Sequence, residues 1–467
     1  MAMNDAVDLQ AALAGVLDAN GFIAGKDADA RYRTTWTGTG CEPVAVLRPR
    51  TPQAVAAVMA VLHARRQPVV IQGGMTGLVG ACAPQPGEVV LSLERLNAIE
   101  EVDAVSATMT VQAGVALEQV QTAAASRGLM FPVDIGSKGS CQIGGIIATN
   151  AGGNRVLRYG MTRNSVLGLE VVLPDGTLVS RLGKAMKDNA GYDLKHLFIG
   201  SEGTLGVITR AVLSLQEAPA GRQTALVSVP AFSEVTKLLK TCRHRLGPRL
   251  TSFEVMWRDY YDLVTGRLGI GRPTSMVLGS HLVLVEAMGT APDADDELFT
   301  EVLGKFLAAS PESDAVIARS IADATALWAV REASGEAAHA VSPYASFDVS
   351  LPIDSMEAWV DNVHSQLRLL GLAQTQTYGH LGDGNLHLTI AYSAADPAMK
   401  TRISDVVHHS IGALGGSIAG EHGIGLIKKP YLGCSRSPSE IALMRTMKQA
   451  IDPYALLNRG RIFDFSQ

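Results

Sequence analysis

The 467-residue chain has no CxxC pair, no block of lysine and arginine, and no apolar run near membrane length. Its five cysteines (Cys41, Cys82, Cys141, Cys242 and Cys434) are odd in number and scattered. That argues against a disulfide framework, an iron–sulfur cluster or a cysteine-ligated zinc. With 40 basic residues against 45 acidic ones, neither nucleic acid nor an anionic membrane surface is expected as the main partner. The longest apolar run, residues 54–62, falls far short of the roughly 18 residues a spanning helix needs. Residues 1–18 carry acids and lack an Arg-rich or signal-peptide pattern, so a cytoplasmic location is expected. Internal repeats and low-complexity segments are missing too. The length exceeds what one small core serves, and two domains with shared segments are expected.

What the chain has in excess is glycine, 47 residues, about a tenth of the total against a typical ~7%. Three glycine-rich stretches stand in the first half: residues 72–80, 136–160 and 200–206. Glycine directly after a strand lets backbone amides approach a pyrophosphate, because no Cβ intervenes. None of the three is a strand–GxGxxG–helix fingerprint or a GxxxxGK[ST] loop, which removes a Rossmann NAD site and a P-loop as first choices. Thr51-Pro52 reads as an N-cap and first helical residue, opening a helix to about residue 66. Strands are expected at 68–71, 88–93, 109–111, 169–173, 177–180 and 207–209, with helices at 7–20 and 117–126. A boundary falls near 215–224. Beyond it, helices at 232–245, 298–308 and 353–370 and a strand at 283–288 describe an α+β layer.

The second half holds the most chemically pointed segment. Tyr378-Gly379-His380-Leu381-Gly382-Asp383-Gly384-Asn385-Leu386-His387 sets two imidazoles either side of a tight turn, and Gly420-Glu421-His422-Gly423 adds a carboxylate–imidazole pair. Neutral imidazole plus carboxylate suits a borderline divalent ion such as zinc or manganese. The remaining histidine is available for proton transfer near neutral pH. The alternative is a hairpin and a surface loop whose histidines face core or solvent.

Together these segments resemble the vanillyl-alcohol-oxidase type of flavoproteins, through 72–80, 132–153 and Tyr159-Gly160, and its D-2-hydroxyacid dehydrogenase branch, through 380–387 and 420–423. The resemblance covers roughly residues 40–463. It implies an α+β fold: an FAD-binding domain of two subdomains with a C-terminal α+β cap. The expected organisation is an N-terminal helical segment (1–40), the FAD domain (41–219), a substrate domain with the metal site (220–424) and a segment returning to the FAD domain (425–467). By resemblance Gly73, Gly74, Met75, Thr76, Gly77 and Leu78 hold the FAD pyrophosphate. Pro132, Gly139, Ser140, Ile143, Gly144, Gly145, Asn150, Gly152, Gly153, Gly206, Ile208 and Asn458 line the rest of the cofactor. Residues 72–80 hold no histidine for a covalent flavin link, so FAD is expected to be non-covalent. Arg459 stands where the family more often has proline.

The implied metal ligands are His380, His387 and Glu421, with Zn2+ expected and Mn2+ as the other candidate. A 2-hydroxy acid chelates such an ion through its hydroxyl and carboxylate, which lowers the hydroxyl pKa. His422 is the expected base, Arg331 the carboxylate-binding arginine and Asn385 a further substrate contact; hydride would pass to the flavin. D-2-hydroxyglutarate dehydrogenases generally carry a hydroxyl residue four places after that arginine and a lysine two places before the Asp-x-Ser strand. Here those positions are Gly335 and Ser346. A buried distal carboxylate without a cation is costly. The reading therefore favours D-lactate, D-mandelate or a broad range over D-2-hydroxyglutarate. The competing readings are a non-catalytic FAD-binding electron-relay subunit and a flavin-free metal-dependent hydrolase. Expected partners are a small 2-hydroxy acid, an electron acceptor (a quinone or an electron-transfer flavoprotein) and, as one option, a second copy of the chain.

Overall fold

Thr51 caps the helix Pro52–Ala64, its hydroxyl accepting the Ala54 amide at 3.1 Å. The strand Val69–Gln72 follows. The computed structural model describes residues 2–35, 38, 40–271 and 276–465; positions 1, 36, 37 and 39 of the expected N-terminal segment, 272–275 of the expected substrate domain and 466–467 of the returning segment lie outside them. The chain divides into two compact units, one of Met1–Gly153, Gly160–Ala218 and Glu421–Gln467, the other of Asn154–Tyr159 and Pro219–Gly420.

The first unit holds two main sheets. A four-stranded sheet runs in the order Phe22–Ala24, Ala45–Leu47, Val89–Ser92, Val69–Gln72, its last three strands parallel. A five-stranded antiparallel sheet runs Ile99–Asp103, Thr108–Gln112, Val207–Ser214, Val166–Val172, Leu178–Arg181. Each has its own apolar core: Val55, Val58, Met59 and Leu62 pack on the first, and Val120, Ile143, Ile146 and Ile147 on the second. The first helix spans Ala2–Leu13 rather than 7–20, ending before Gly15, a poor helix former. Residues 452–458 close the unit. Leu456 O accepts the Val69 amide and Val69 O the Asn458 amide, both at 2.9 Å. Lys448, buried, reaches Asp452 and the Thr204 and Leu457 carbonyls at 2.5, 2.7 and 3.0 Å.

The second unit is built on a seven-stranded antiparallel sheet. Its order is Asp314–Ile317, Gly221–Val229, His281–Gly289, Leu250–Trp257, Thr375–Gly379, Asn385–Ala391, Tyr344–Ser350. Side chains alternate between faces along each strand. Leu226, Leu282, Leu284, Met256 and Tyr378 pack with Leu327, Trp328 and Val330 of the helix Ile321–Glu332. Further along that same face the residues turn polar.

Candidate active site

The polar end of that face is a row set by strand register. Val255 pairs with Gly379 and Met256 with Tyr378, which brings Glu254 opposite His380. Tyr378 pairs with His387, and His387 with Asp348. Glu254, His380, His387 and Asp348, from four adjacent strands, thus project on one face, and all four are buried. Between His380 and Asn385 the chain makes a single 3-10 turn, Leu381–Asp383, closed by Gly384 at φ 87° and by the Asn385 amide on His380 O at 3.1 Å. Arg243 donates to Gly382 O at 2.6 Å and pins the turn.

Ring nitrogens of His380 and His387 lie within 4.8 Å of each other, and a carboxylate oxygen of Asp348 is equally near His387. Glu254 holds His380 through Nδ1 at 2.8 Å and Arg331 through Nε at 2.9 Å. Burial pushes the Glu254 carboxyl up, but His380 and Arg331 beside it outweigh that and hold the group below the usual range. Arg331, expected to bind a substrate carboxylate, is 6% exposed and lies over the Tyr378 ring at 4.9 Å. Its Nη2 is 3.4 Å from His380 Nε2. Asn385 spends its amide hydrogens on Asp348 Oδ1 (2.7 Å) and Val349 O (3.0 Å). Its buried Oδ1 has no hydrogen-bond partner among the described residues, so the oxygen is what it offers a ligand.

Ser417 exchanges two backbone hydrogen bonds with Ser350, at 2.8 and 2.9 Å, and this brings residues 417–420 to the polar row. Gly420 packs so tightly there that a Cβ would sit 1.9 Å from Asn385 Nδ2 and 2.8 Å from Asp348 Oδ1. Glu421 and His422 follow directly in the chain. Within the first unit, Glu421 Oε1 accepts the Gly153 amide at 2.9 Å. The buried Glu202 accepts the Ile424 and Gly425 amides at 2.7 and 2.8 Å.

The first glycine loop leaves the strand Val69–Gln72. A Cβ on Gly74 would meet Ser140 O at 2.1 Å, and one on Gly73 would approach Gly145 Cα at 3.9 Å. Residues 73–78 and 139–145 are thereby brought together. Gly77 and Gly145 have open space where a Cβ would be, and Gln142 Oε1, beside Gly73, is buried with no hydrogen-bond partner among the described residues. Glycine-lined room beside an unsatisfied acceptor fits a dinucleotide carrying hydroxyl and imide donors. Met75 and Asn150 adopt left-handed φ of 60° and 48°. Asn150 Oδ1 accepts the Arg163 amide. Of the other expected FAD contacts, Ile143 and Ile208 belong to the apolar core, so what they offer a ligand is backbone. A Gly206 Cβ would strike Val171 and Phe198, so its smallness serves packing. Pro132, Gly152 and Gly153 are buried, while Gly139 and Ser140 are exposed. Asn458 ties Ile71 N to Glu202 O.

Comparison with known proteins gives this architecture its class. Residues 43–181 match the FAD binding domain and residues 218–462 the C-terminal domain of FAD linked oxidases. The chain belongs to the FAD linked oxidases, has a two-domain fold of the vanillyl-alcohol-oxidase type, and is an FAD-dependent oxidoreductase. It is 40% identical to a mitochondrial D-2-hydroxyglutarate dehydrogenase of Bos taurus, over 88% of this chain and 75% of that one. It is 39% identical to a D-2-hydroxyglutarate dehydrogenase of Xanthomonas citri, over 93% and 92%. It is 38% identical to a Schizosaccharomyces pombe protein provisionally named a mitochondrial D-lactate dehydrogenase, over 88% and 80%. Among solved structures, p-cresol methylhydroxylase shares the fold at 17% identity, with a TM-score of 0.75 over 99% of this chain and 97% of that one. The expectation of a cytoplasmic location does not stand, because the relatives from Bos taurus, Oryza sativa and Arabidopsis thaliana are named as mitochondrial. The composition of residues 1–18 was too weak a basis for it. Among the described residues no helix is long and apolar enough to cross a membrane.

Sequence reading missed Glu254, Asp348 as a neighbour of His387, and Glu202. The signal for Glu254 was a lone acid inside the otherwise apolar or hydroxylic run Leu250–Trp257, where a buried charge demands partners.

Proposed function

We propose that the protein oxidises a D-2-hydroxy acid to the 2-oxo acid, using non-covalently bound FAD and a divalent ion, Zn2+ or Mn2+, held by His380, His387 and Glu421. The observation that carries this reading is the buried row in which Glu254 takes the Nδ1 side of His380 while a ring nitrogen of His387 lies within 4.8 Å of one of His380. Two imidazoles and a carboxylate are a donor set for a borderline ion with coordination positions to spare. Glu421 is the residue after Gly420, which is locked against Asn385 and Asp348, and successive Cα atoms are 3.8 Å apart.

When bound, the ion supplies Lewis acidity toward the substrate hydroxyl, and FAD supplies a hydride acceptor. The chain's residues do the rest. Arg331 binds the substrate carboxylate with its Nη edge, oriented by Glu254 and Tyr378. Asn385 Oδ1 accepts a hydrogen bond from substrate. His422 removes the hydroxyl proton as general base.

For the side chain of the acid, two observations pull apart. Relatives named D-2-hydroxyglutarate dehydrogenases favour a second carboxylate. Ser346 and Gly335 favour D-lactate, D-mandelate or a broad range. Ser346 pairs with Thr389, two residues from Asp348 and on its face of the sheet. A lysine there would reach along the polar row; a serine is too short. We favour the second, with D-2-hydroxyglutarate as the alternative. Electrons would leave to a quinone or an electron-transfer flavoprotein.

The test is anaerobic flavin reduction with a panel of D- and L-2-hydroxy acids, before and after EDTA treatment. Bleaching by D-enantiomers only, lost with EDTA and restored by Zn2+ or Mn2+, is the expected result. Bleaching indifferent to EDTA would remove the metal; no bleaching by any acid would favour an electron-relay subunit.

A further inference from the structure

A carboxylate in the middle of a buried strand is expensive unless its charge and lone pairs are met. Glu254 lies in Leu250–Trp257, a central strand whose other residues are apolar or hydroxylic, and is 1% exposed. Both of its oxygens are engaged: His380 Nδ1 lies 2.8 Å from each, and Oε2 also accepts Arg331 Nε at 2.9 Å. An ionised carboxylate only accepts hydrogen bonds, so the imidazole proton facing it resides on Nδ1 and the lone pair on Nε2. The same carboxylate fixes the guanidinium by its Nε edge, leaving Nη2 3.4 Å from that Nε2. A metal-ligating atom and a substrate-binding edge therefore hang from one side chain.

We infer that Glu254 is a positioning residue that holds His380 as an Nε2 ligand and aims Arg331 beside it, so that ion and substrate carboxylate are bound as a pair. The inference rests on the proposed roles of His380 and Arg331. A purely structural carboxylate would stabilise the sheet without coupling two ligands. Glu286 supplies that comparison. It is the neighbouring strand's buried acid on the same face, met by Trp328 Nε1 at 2.7 Å and Thr224 Oγ1 at 3.2 Å, and the contacts it shows involve neither His380 nor Arg331.

The experiment uses the full-length, FAD-loaded protein, stripped of divalent ions by dialysis and titrated with Zn2+ by calorimetry, with bound metal counted by mass spectrometry. Glu254→Gln is expected to weaken Zn2+ binding by about 10–100-fold, the usual effect of losing the partner of a ligating histidine. At saturating Zn2+ it is expected to raise KM for the D-2-hydroxy acid about tenfold or more with a smaller change in kcat. Glu254→Asp keeps the charge but withdraws it by one methylene, and should weaken Zn2+ in the same direction. It carries the test if Glu254→Gln does not accumulate as folded protein. Glu286→Gln should leave Zn2+ affinity and KM unchanged. Unaltered Zn2+ affinity in both Glu254 variants, or an equal loss in Glu286→Gln, would overturn the inference while leaving the metal reading intact. A wild-type protein that takes up neither Zn2+ nor Mn2+ would overturn the metal reading itself.

Discussion

The side-chain oxygen of Asn458 lies 2.9 Å from the backbone nitrogen of Ile71, so a residue near the C-terminus holds the strand from which the first glycine loop leaves. Its amide nitrogen donates to Glu202 O at 2.6 Å. Asn458→Ala would leave the buried Glu202 carbonyl unmet, at about 1–3 kcal/mol, and the part-buried Ile71 amide as well, at less. The expected outcome is a lower melting temperature and a smaller FAD-to-protein absorbance ratio after desalting.

Arg331→Lys removes the Nε contact to Glu254 and the planar fork while keeping the charge. Loss of a two-point carboxylate contact predicts a fall in kcat/KM of about 100-fold, carried mainly by KM. Steady-state kinetics with D- and L-acids checks this, with flavin content as the control.

His422→Asn is expected to keep FAD and bound Zn2+ yet lower kcat by about 10²–10⁴-fold, the usual worth of a positioned base. Near-full activity would leave His422 without its proposed role.

Gly420→Ala forces a methyl group to within 1.9 Å of Asn385 Nδ2. Chain and strand must part, and the two residues that follow move with the chain. Expected is at least a tenfold loss of kcat with FAD retention unchanged, measured on the same preparation.

Acid sensitivity should trace in part to His281. Burial pushes its imidazole down to about 4 from an ordinary 6.5, and its ring packs edge-on to Trp257 and Phe232. The unfolded chain binds the proton more readily, so this stability is full above pH ~6.5 and is lost as the pH falls towards 4, by about 3 kcal/mol in all. His281→Phe should lose less stability than wild type between pH 7.5 and pH 5, as read by thermal melts at both values.

Much of the first unit was legible because its punctuation is local. Thr51-Pro52 starts a helix, and glycines interrupt β-branched runs at the ends of strands. In the second unit the histidine-bearing segment stands out for the same reason, with two imidazoles flanking a Gly-Asp-Gly turn. The partners of Glu254 were not legible, since they lie 77 and 126 residues further along. Its strand is buried on both sides and shows no alternation to place it. Asn385 was read as a substrate contact from its place in the turn; that Asp348 and Val349 take its amide hydrogens depends on a strand pairing no local pattern encodes. The strands Thr375–Gly379 and Asn385–Ala391 went unassigned, being mixtures of threonine, glycine, histidine and apolar residues that carry no clean period.

The polar row also works as a checksum on topology. Its four members come from strands that neighbour one another in space but lie up to 133 residues apart in sequence, from Glu254 to His387. Slipping any one strand by a single residue would turn its member to the opposite face. A chain with a mispaired sheet would then lack the assembled row altogether, so that reactivity and correct threading arrive together or not at all.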